Sequence, residues 1–189
     1  MQELADNFLS YLSVERALSK NTLLSYGRDL KKYIRYLQEL GIKSLSQTSR
    51  KEISDFMFKL KDEGLSSVSI ARNLAAIKVF CRFLVRERII PDDPSALVDS
   101  PKLWKRIPDS LSEREVNSLL FAADVSRIQG IRDRAILELM YATGLRVSEA
   151  VNLKIQDLNL EVGFLRCMGK GSKERIVPLG KEAISAVNK

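Results

Sequence analysis

The first part of the chain carries the hydrophobic period of four amphipathic helices. Apolar side chains recur there every three or four positions, the spacing that places them on one face of a helix. Ser49 followed by Glu52 is a capping-box pattern that begins the third helix, and Gly64 ends it. The predicted spans are about 2–14, 19–40, 49–63 and 66–88.

A proline-rich stretch follows this helical region. Residues 90–112 hold four of the five prolines in the chain. Because proline lacks an amide donor and disfavours helix at the residue before it, this stretch is predicted to be extended, with at most a short turn near 95–98. The predicted organisation is a helical domain at 1–100, a linker at 101–109 and a second domain at 110–189.

The second domain shows a mixed pattern. Helical periodicity from about 112 to 123 and from 130 to 143 is followed by a short helix at 145–153 and another helix after 180. Between them, 162–168 and 174–179 are predicted strands on either side of a glycine-flanked lysine, Lys170, which indicates a β-hairpin. The fold class is therefore mainly α, a four-helix domain followed by a mixed α+β domain with a small hairpin.

Composition excludes several kinds of chemistry. The chain has 31 Lys and Arg, 24 Asp and Glu, a formal charge of +7 and no histidine, so it carries no imidazole catalyst and no His-ligated metal. Cys81 and Cys167 lie far apart in apolar surroundings, which argues against a disulfide framework and a Cys-ligated zinc site and favours packing roles in a reducing, cytoplasmic setting. No apolar run is long enough for a membrane span, so no membrane association is expected.

The fourth predicted helix has a basic face. Arg72, Lys78, Arg82 and Arg86 fall within about 120° of arc at the helical period, and no acidic residue of that helix interrupts them. This arrangement favours contact with the phosphates of double-stranded DNA, with an affinity that falls as salt rises. The alternative is an ordinary solvated face.

Polar donors also cluster at the start of the second predicted helix. Lys20, Asn21, Thr22 and Tyr26 lie in its first two turns, beside the backbone amides of a helix N-terminus. Such positions often hold DNA phosphates, although the same residues suit a simple helix cap.

Three segments carry a family resemblance. They are ATGLRVSEAVNLKIQDLNLE at 142–161, GKGSKERIVPLG at 169–180 and SKNTLLSYGRDL at 19–30. With them the chain resembles the tyrosine recombinase (phage integrase) family, and the Xer-type site-specific recombinases in particular. The resemblance implies a SAM-like core-binding domain followed by the N-terminal part of the catalytic domain.

The resemblance also implies roles for particular residues. Arg146 is similar to the first catalytic arginine, Glu149 to the acidic residue three positions on that supports the active site, and Lys170 to the lysine of the β-hairpin. Lys173 and Arg175, close to that lysine, are predicted phosphate contacts. The alternatives are a helix-dipole partner for Arg146, a plain salt bridge for Glu149 and surface charge for the two lysines and Arg175.

These residue types suit the implied reaction. Attack of a tyrosine on DNA places extra charge on the non-bridging phosphate oxygens, which a guanidinium can contact with paired donors. A lysine among other cations can give a proton to the departing 5′ hydroxyl. The reaction needs no cofactor and no metal.

The resemblance implies, for a complete enzyme, cutting and rejoining of DNA through a 3′ phosphotyrosine at a short palindromic site. Four identical or related subunits would assemble on that site, for instance to resolve chromosome or plasmid dimers.

This sequence departs from that pattern because the family's His-x-x-Arg motif, its further His or Trp and its nucleophilic tyrosine have no counterparts here. Tyr141, on an apolar helix, is predicted to be a core residue. We therefore expect a truncated recombinase that binds DNA without cleaving it. The alternatives are a recombinase-derived regulator or decoy that binds DNA, and a helical interaction module without a nucleic-acid role.

Overall fold

The computed structural model of the chain describes residues 1–103, 109–169 and 173–189. The chain folds as two units, Met1–Arg106 and Ile107–Lys189.

The first unit is built from four helices, as the hydrophobic period predicts. They are α1 (Gln2–Val14), α2 (Lys20–Glu39), α3 (Arg50–Asp62) and α4 (Ser67–Arg86), with a short 3₁₀ helix at Leu45–Gln47. Ser19 caps α2 by accepting a hydrogen bond from the Thr22 amide at 3.3 Å. The predicted capping box of Ser49 and Glu52 forms at the start of α3.

Aromatic side chains hold the core of this unit together. The Phe8 and Phe80 rings lie 5.2 Å apart, which joins α1 to α4, and Tyr33 and Phe56 lie 5.2 Å apart, which joins α2 to α3. Each fully buried side chain of this size contributes about 1.5–3 kcal/mol. Cys81 is also buried here as predicted, and burial raises the pKa of its thiol to about 12.

Part of the proline-rich stretch packs onto that core. Ile90, Ser95 and Val98 are all buried, and the Val98 amide closes a turn on the Ser95 carbonyl at 3.1 Å. The sequence predicts this turn. It does not predict the packing of Ile90 and Val98 on the core, because isolated apolar residues between prolines show no hydrophobic period.

The second unit contains four helices and a small sheet among its described residues. They are α5 (Glu113–Phe121), α6 (Ile128–Thr143), α7 (Val147–Val151), β1 (Leu158–Asn159), β2 (Phe164–Met168), β3 (Glu174–Pro178) and α8 (Lys181–Val187), with a 3₁₀ helix at Ile155–Asp157. The strands pair antiparallel in the order β1-β2-β3, and β2 and β3 are the predicted hairpin. Strand β1 was not predicted, because two residues are too few to show alternation. The predicted fold class, mainly helical with a small sheet, is confirmed.

One predicted core residue of this unit is wrong. Tyr141 is 58% exposed, whereas Leu139, two positions earlier on α6, is buried. Two positions on a helix are about 200° apart, so both side chains could not face the same core. The core gathers around Leu139, Leu165 and Ala183 instead.

A membrane-spanning helix is not found in 1–103, 109–169 or 173–189, since no helix there is both long and apolar enough.

Candidate nucleic-acid interface and phosphate site

Arg146 owes its position to the way α6 ends. Gly144 adopts the left-handed conformation at φ 62°, which glycine reaches without strain, and stops the helix. Leu145 then enters the core, and Arg146 caps the short helix α7 with its side chain 61% exposed. The turn therefore anchors the backbone of Arg146 while presenting its guanidinium to solvent.

The carboxylate of Glu149 binds two arginines. Its Oε1 accepts from Nη1 of Arg146 at 2.7 Å, and its Oε2 accepts from the Arg146 amide at 2.9 Å and from Nη2 of Arg175 at 2.8 Å. The Glu149 side chain is only 7% exposed. The structure brings Glu149 and Arg146 together, a contact that both the predicted support of the active site and the alternative of a plain salt bridge would give.

These contacts fix the ionisation of Glu149. The hydrogen bond from the Arg146 amide lowers the pKa of the Glu149 carboxyl below its usual value, and the two guanidinium groups lower it further against the opposing effect of burial. The carboxylate is thus charged at neutral pH. Since Nε and Nη2 of Arg146 have no partner within the described ranges, they can donate to an anion.

Arg175 is more constrained than a free surface cation. Besides its bond to Glu149, its Nε donates to Sγ of Cys167 at 3.1 Å, and this contact raises the pKa of the arginine. Cys167 is buried, as predicted. Lys173 is exposed, and Lys170 lies outside the described residues.

On α4 the structure changes the interpretation of the basic face. Arg72 forms a paired salt bridge with Asp29 of α2, from Nε to Oδ2 at 2.8 Å and from Nη2 to Oδ1 at 3.1 Å. Asp29 is 2% exposed, whereas the Arg72 side chain is 49% exposed. The basic face of α4 contains no acidic residue of α4 itself, but the neighbouring helix α2 places Asp29 beside it.

Arg86 is also countered. Its Nη2 lies 2.8 Å from Oε1 of Glu87 and its Nη1 lies 3.9 Å from Glu15, while its guanidinium stacks 3.9 Å from the ring centroid of Tyr11. Lys78 and Arg82 differ, because no carboxylate pairs with either in the described part of the chain. Their charges are therefore the least neutralised of the four.

An open groove of about 560 Å³ lies beside Arg82 and Arg86. Tyr11, Arg16 and Tyr26 also line it, and Nε of Arg16 donates to the Tyr11 hydroxyl at 3.2 Å. The sequence singled out Tyr26 but neither Tyr11 nor Arg16, because Arg16 lies in the loop after α1 and a search along one helix face cannot find it.

The hydrogen-bond donors predicted at the start of α2 lie in its first two turns, as the sequence indicates. Lys20 and Asn21 are exposed, and the Thr22 hydroxyl lies 2.9 Å from that of Ser19. Tyr26 is half-buried where it lines the groove. Thr22 thus takes part in the cap, while Lys20 and Asn21 remain accessible.

Family models match both units. The N-terminal SAM-like domain of phage integrase matches residues 5–88, and the phage integrase family matches residues 109–189. The chain belongs to the phage integrase family. The resemblance drawn from the three sequence segments is therefore confirmed.

Curated relatives agree with this family. The integrase-family chain is 45% identical over 184 residues to tyrosine recombinase XerD of Staphylococcus aureus (strain Mu50), covering 97% of this chain and 62% of that protein. It is also 45% identical over 181 residues to tyrosine recombinase XerD of Halalkalibacterium halodurans, covering 95% of this chain and 60% of that protein. The chain thus spans about three fifths of the length of these relatives.

Solved structures share the fold. A lambda integrase dimer bound to a COC′ core site superposes with a TM-score of 0.78 at 22% identity, over 100% of this chain and 68% of that one. A lambda integrase tetramer bound to a Holliday junction gives a TM-score of 0.73 at 23% identity, over 96% and 52%. At such identities the likeness establishes the integrase fold alone.

Proposed function

We propose that this chain binds double-stranded DNA and supplies part of the phosphate-binding active site of a Xer-type site-specific tyrosine recombinase. The observation that carries the proposal is the binding of the Glu149 carboxylate to the amide and to Nη1 of Arg146, which leaves Nε and Nη2 of the guanidinium available. The 45% identity to XerD proteins supports the Xer type.

Arg146 acts on the phosphate that is cleaved. Its free donors contact the non-bridging oxygens, where charge increases as a tyrosine attacks, and the bond to Glu149 reduces the ordering of the side chain that the reaction requires. Lys170 gives the proton that the departing 5′ hydroxyl requires.

The first unit supplies most of the DNA affinity. Lys78 and Arg82 on α4 and Lys20 and Asn21 on α2 contact backbone phosphates, and Thr22 and Tyr26 flank them. Arg72 and Arg86 contribute less charge, since carboxylates already face them. Lys173 contacts phosphate from the second unit, as does the outer edge of Arg175.

In the complete reaction, four recombinase subunits in the cytoplasm cut and rejoin a short palindromic site through 3′ phosphotyrosines, as in the resolution of chromosome or plasmid dimers. This chain has no histidine, and it binds DNA without cleaving it. The proposal assigns no nucleophilic role to Tyr141, which is exposed on α6 just before the Gly144 turn.

Titration of the ¹⁵N-labelled chain with a duplex tests the proposal. The Nε–H signal of Arg146 should shift on binding, whereas that of Arg132, an exposed arginine paired with its neighbour Asp133, should not. Saturable binding that leaves the Arg146 signal unmoved would contradict the phosphate role. A parallel incubation with a nicked suicide substrate should give no covalent adduct in a denaturing gel, and an adduct would contradict the non-cleaving assignment.

A further inference from the structure

A continuous series of contacts leads from strand β2 to Arg146. Sγ of Cys167 accepts from Nε of Arg175 at 3.1 Å, Nη2 of Arg175 donates to Oε2 of Glu149 at 2.8 Å, and Oε1 of Glu149 accepts from Nη1 of Arg146 at 2.7 Å. Each contact is within hydrogen-bonding distance for its atoms. The sheet is therefore connected to the guanidinium of Arg146.

We propose that Arg175 is a positioning residue for Arg146, acting through the shared carboxylate of Glu149. The proposal deepens the proposed function, because it matters for catalysis only if Arg146 binds the phosphate. This role of Arg175 is additional to its proposed contact with phosphate. The contacts that support it are present in the chain without DNA.

Charge and burial explain why a second arginine is needed. The Glu149 side chain is 7% exposed, so its negative charge requires nearby compensation. Arg146 is 61% exposed and could turn toward solvent, whereas Arg175 is 39% exposed and bound along one edge. With one carboxylate facing two guanidinium groups, the cluster stays net positive and still attracts a phosphate.

The register of the hairpin places Arg175. In the antiparallel pairing of β2 and β3, Cys167 lies directly opposite Arg175. A slip by one residue would bring Glu174 or Ile176 to this position and turn Arg175 to the other face of the sheet. The buried sulfur therefore sets the direction in which the guanidinium reaches Glu149.

The first test measures Arg146 in the free, DNA-less chain by ¹⁵N NMR. In Arg175→Gln, we expect rotation of the Arg146 guanidinium to be faster by at least roughly twofold, the factor that corresponds to the lower end of coupling within one side-chain network. The pKa of Glu149, followed by ¹³C NMR, should also rise, because a guanidinium that lowers it has gone.

Arg166→Gln is the matched control. Arg166 belongs to the neighbouring strand β2, is 51% exposed and lies 3.8 Å from Glu174, and among the described residues it forms no hydrogen bond or ion pair with Glu149. The substitution Arg166→Gln removes the same charge from the same sheet but leaves the contacts of Glu149 intact. The Arg146 guanidinium should therefore rotate as in the unchanged chain. If Arg175→Gln leaves Arg146 unaltered, or if Arg166→Gln alters it equally, the proposal is overturned.

Arg175→Gln could also loosen the sheet, so three further substitutions are compared: Arg175→Lys, Cys167→Ala and Cys167→Ser. Arg175→Lys retains a positive charge beside Glu149 but cannot reach Glu149 and Cys167 together, so the Glu149 pKa should stay low while Arg146 rotates faster. Cys167→Ala should increase the rotation rate of the Arg146 guanidinium more than Cys167→Ser does, because serine keeps an acceptor for Nε of Arg175. The proposal is overturned if Arg146 rotates in Arg175→Lys as in the unchanged chain, or if it rotates equally in Cys167→Ala and Cys167→Ser.

The outcomes separate this inference from the proposed function. If the unchanged chain fails to bind DNA, the proposed function fails while the coupling of Arg175 to Arg146 still stands. If DNA shifts the Arg146 signal but Arg175→Gln does not change the rotation of that side chain, the function stands and the positioning role fails.

Discussion

Arg72 of α4 and Asp29 of α2 form a paired salt bridge in which each carboxylate oxygen accepts one hydrogen bond, at 2.8 and 3.1 Å. Because Asp29 is 2% exposed, the carboxylate depends on this partner far more than the half-exposed arginine does. The pair therefore joins the two helices of the predicted DNA-binding face, and it also reduces the charge which that face presents.

The energetic coupling of this pair should be measurable by a double-mutant cycle. Combining Asp29→Asn with Arg72→Gln should give a favourable coupling of about 1–2 kcal/mol, because charge-assisted hydrogen bonds to a buried carboxylate exceed exposed ion pairs. Urea denaturation followed by circular dichroism provides the free energies. The matched control is Lys59 with Glu39, an exposed pair between α2 and α3 at 2.6 Å, for which a smaller coupling is expected because solvent screens it. Equal couplings would show that burial of Asp29 adds nothing.

The four basic residues of α4 should contribute unequally to DNA affinity. Lys78→Gln and Arg82→Gln should each reduce the slope of log K against log salt by about 1, the effect of one lost phosphate contact. Arg86→Gln should reduce it less, because Glu87 and Tyr11 already engage that guanidinium. Fluorescence anisotropy with a labelled duplex at several salt concentrations gives the slopes.

Lys51→Gln, on α3 and outside the predicted face, controls for net charge in that experiment. The interpretation would be wrong if Lys51→Gln and Lys78→Gln changed the slope equally.

Acid should weaken the second unit through Glu149. The pKa of Glu149 is lower in the folded chain than in the unfolded one, so its contribution is complete above the unfolded value near 4.5 and is lost as pH falls through the folded pKa. Glu149→Gln should therefore lower stability at neutral pH and flatten its decline in acid. Denaturation at a series of pH values, with local hydrogen exchange at α7, measures both effects. Glu161 is exposed, and Glu161→Gln should lose stability with falling pH as the unchanged chain does. If the stability of Glu149→Gln fell as steeply in acid as that of the unchanged chain, the prediction would be contradicted.

Two glycines of the second unit should differ in their tolerance of a side chain. A Cβ on Gly130 would lie 1.8 Å from the carbonyl oxygen of Asp124, so backbone must move, and Gly130→Ala should lower the free energy of unfolding by about 1–3 kcal/mol. Gly144 has open space but a φ of 62°, so Gly144→Ala should lower it by about 1–2 kcal/mol through backbone strain alone.

Gly180→Ala is the control for both, with negative φ and no atom within 4 Å of its Cβ. Thermal denaturation ranks the three variants. A neutral Gly130→Ala would contradict the close approach of α6 to Asp124.

Local patterns in the sequence determined most of the helices and the hairpin. The period of apolar residues and the caps at Ser49 and Ser112 act within a few residues, so they can be recognised without the fold. The roles predicted for Arg146 and Glu149 came from the family resemblance of the segment around them, and their contact is also local because they lie three positions apart. Tyr141 was misplaced since a buried helix face cannot be told from an exposed one when both carry apolar residues.

Tertiary structure decided which charges are free. Asp29 reaches Arg72 across 43 positions of sequence and Arg175 reaches Glu149 across 26, so neither contact leaves a periodic signal. Short-range hydrogen bonding and hydrophobic period are written into neighbouring residues, whereas the pairing of charges depends on how helices and strands pack. The sequence alone therefore determined most of the elements and the family, and the packing determined which arginines are paired with carboxylates and which keep free donors.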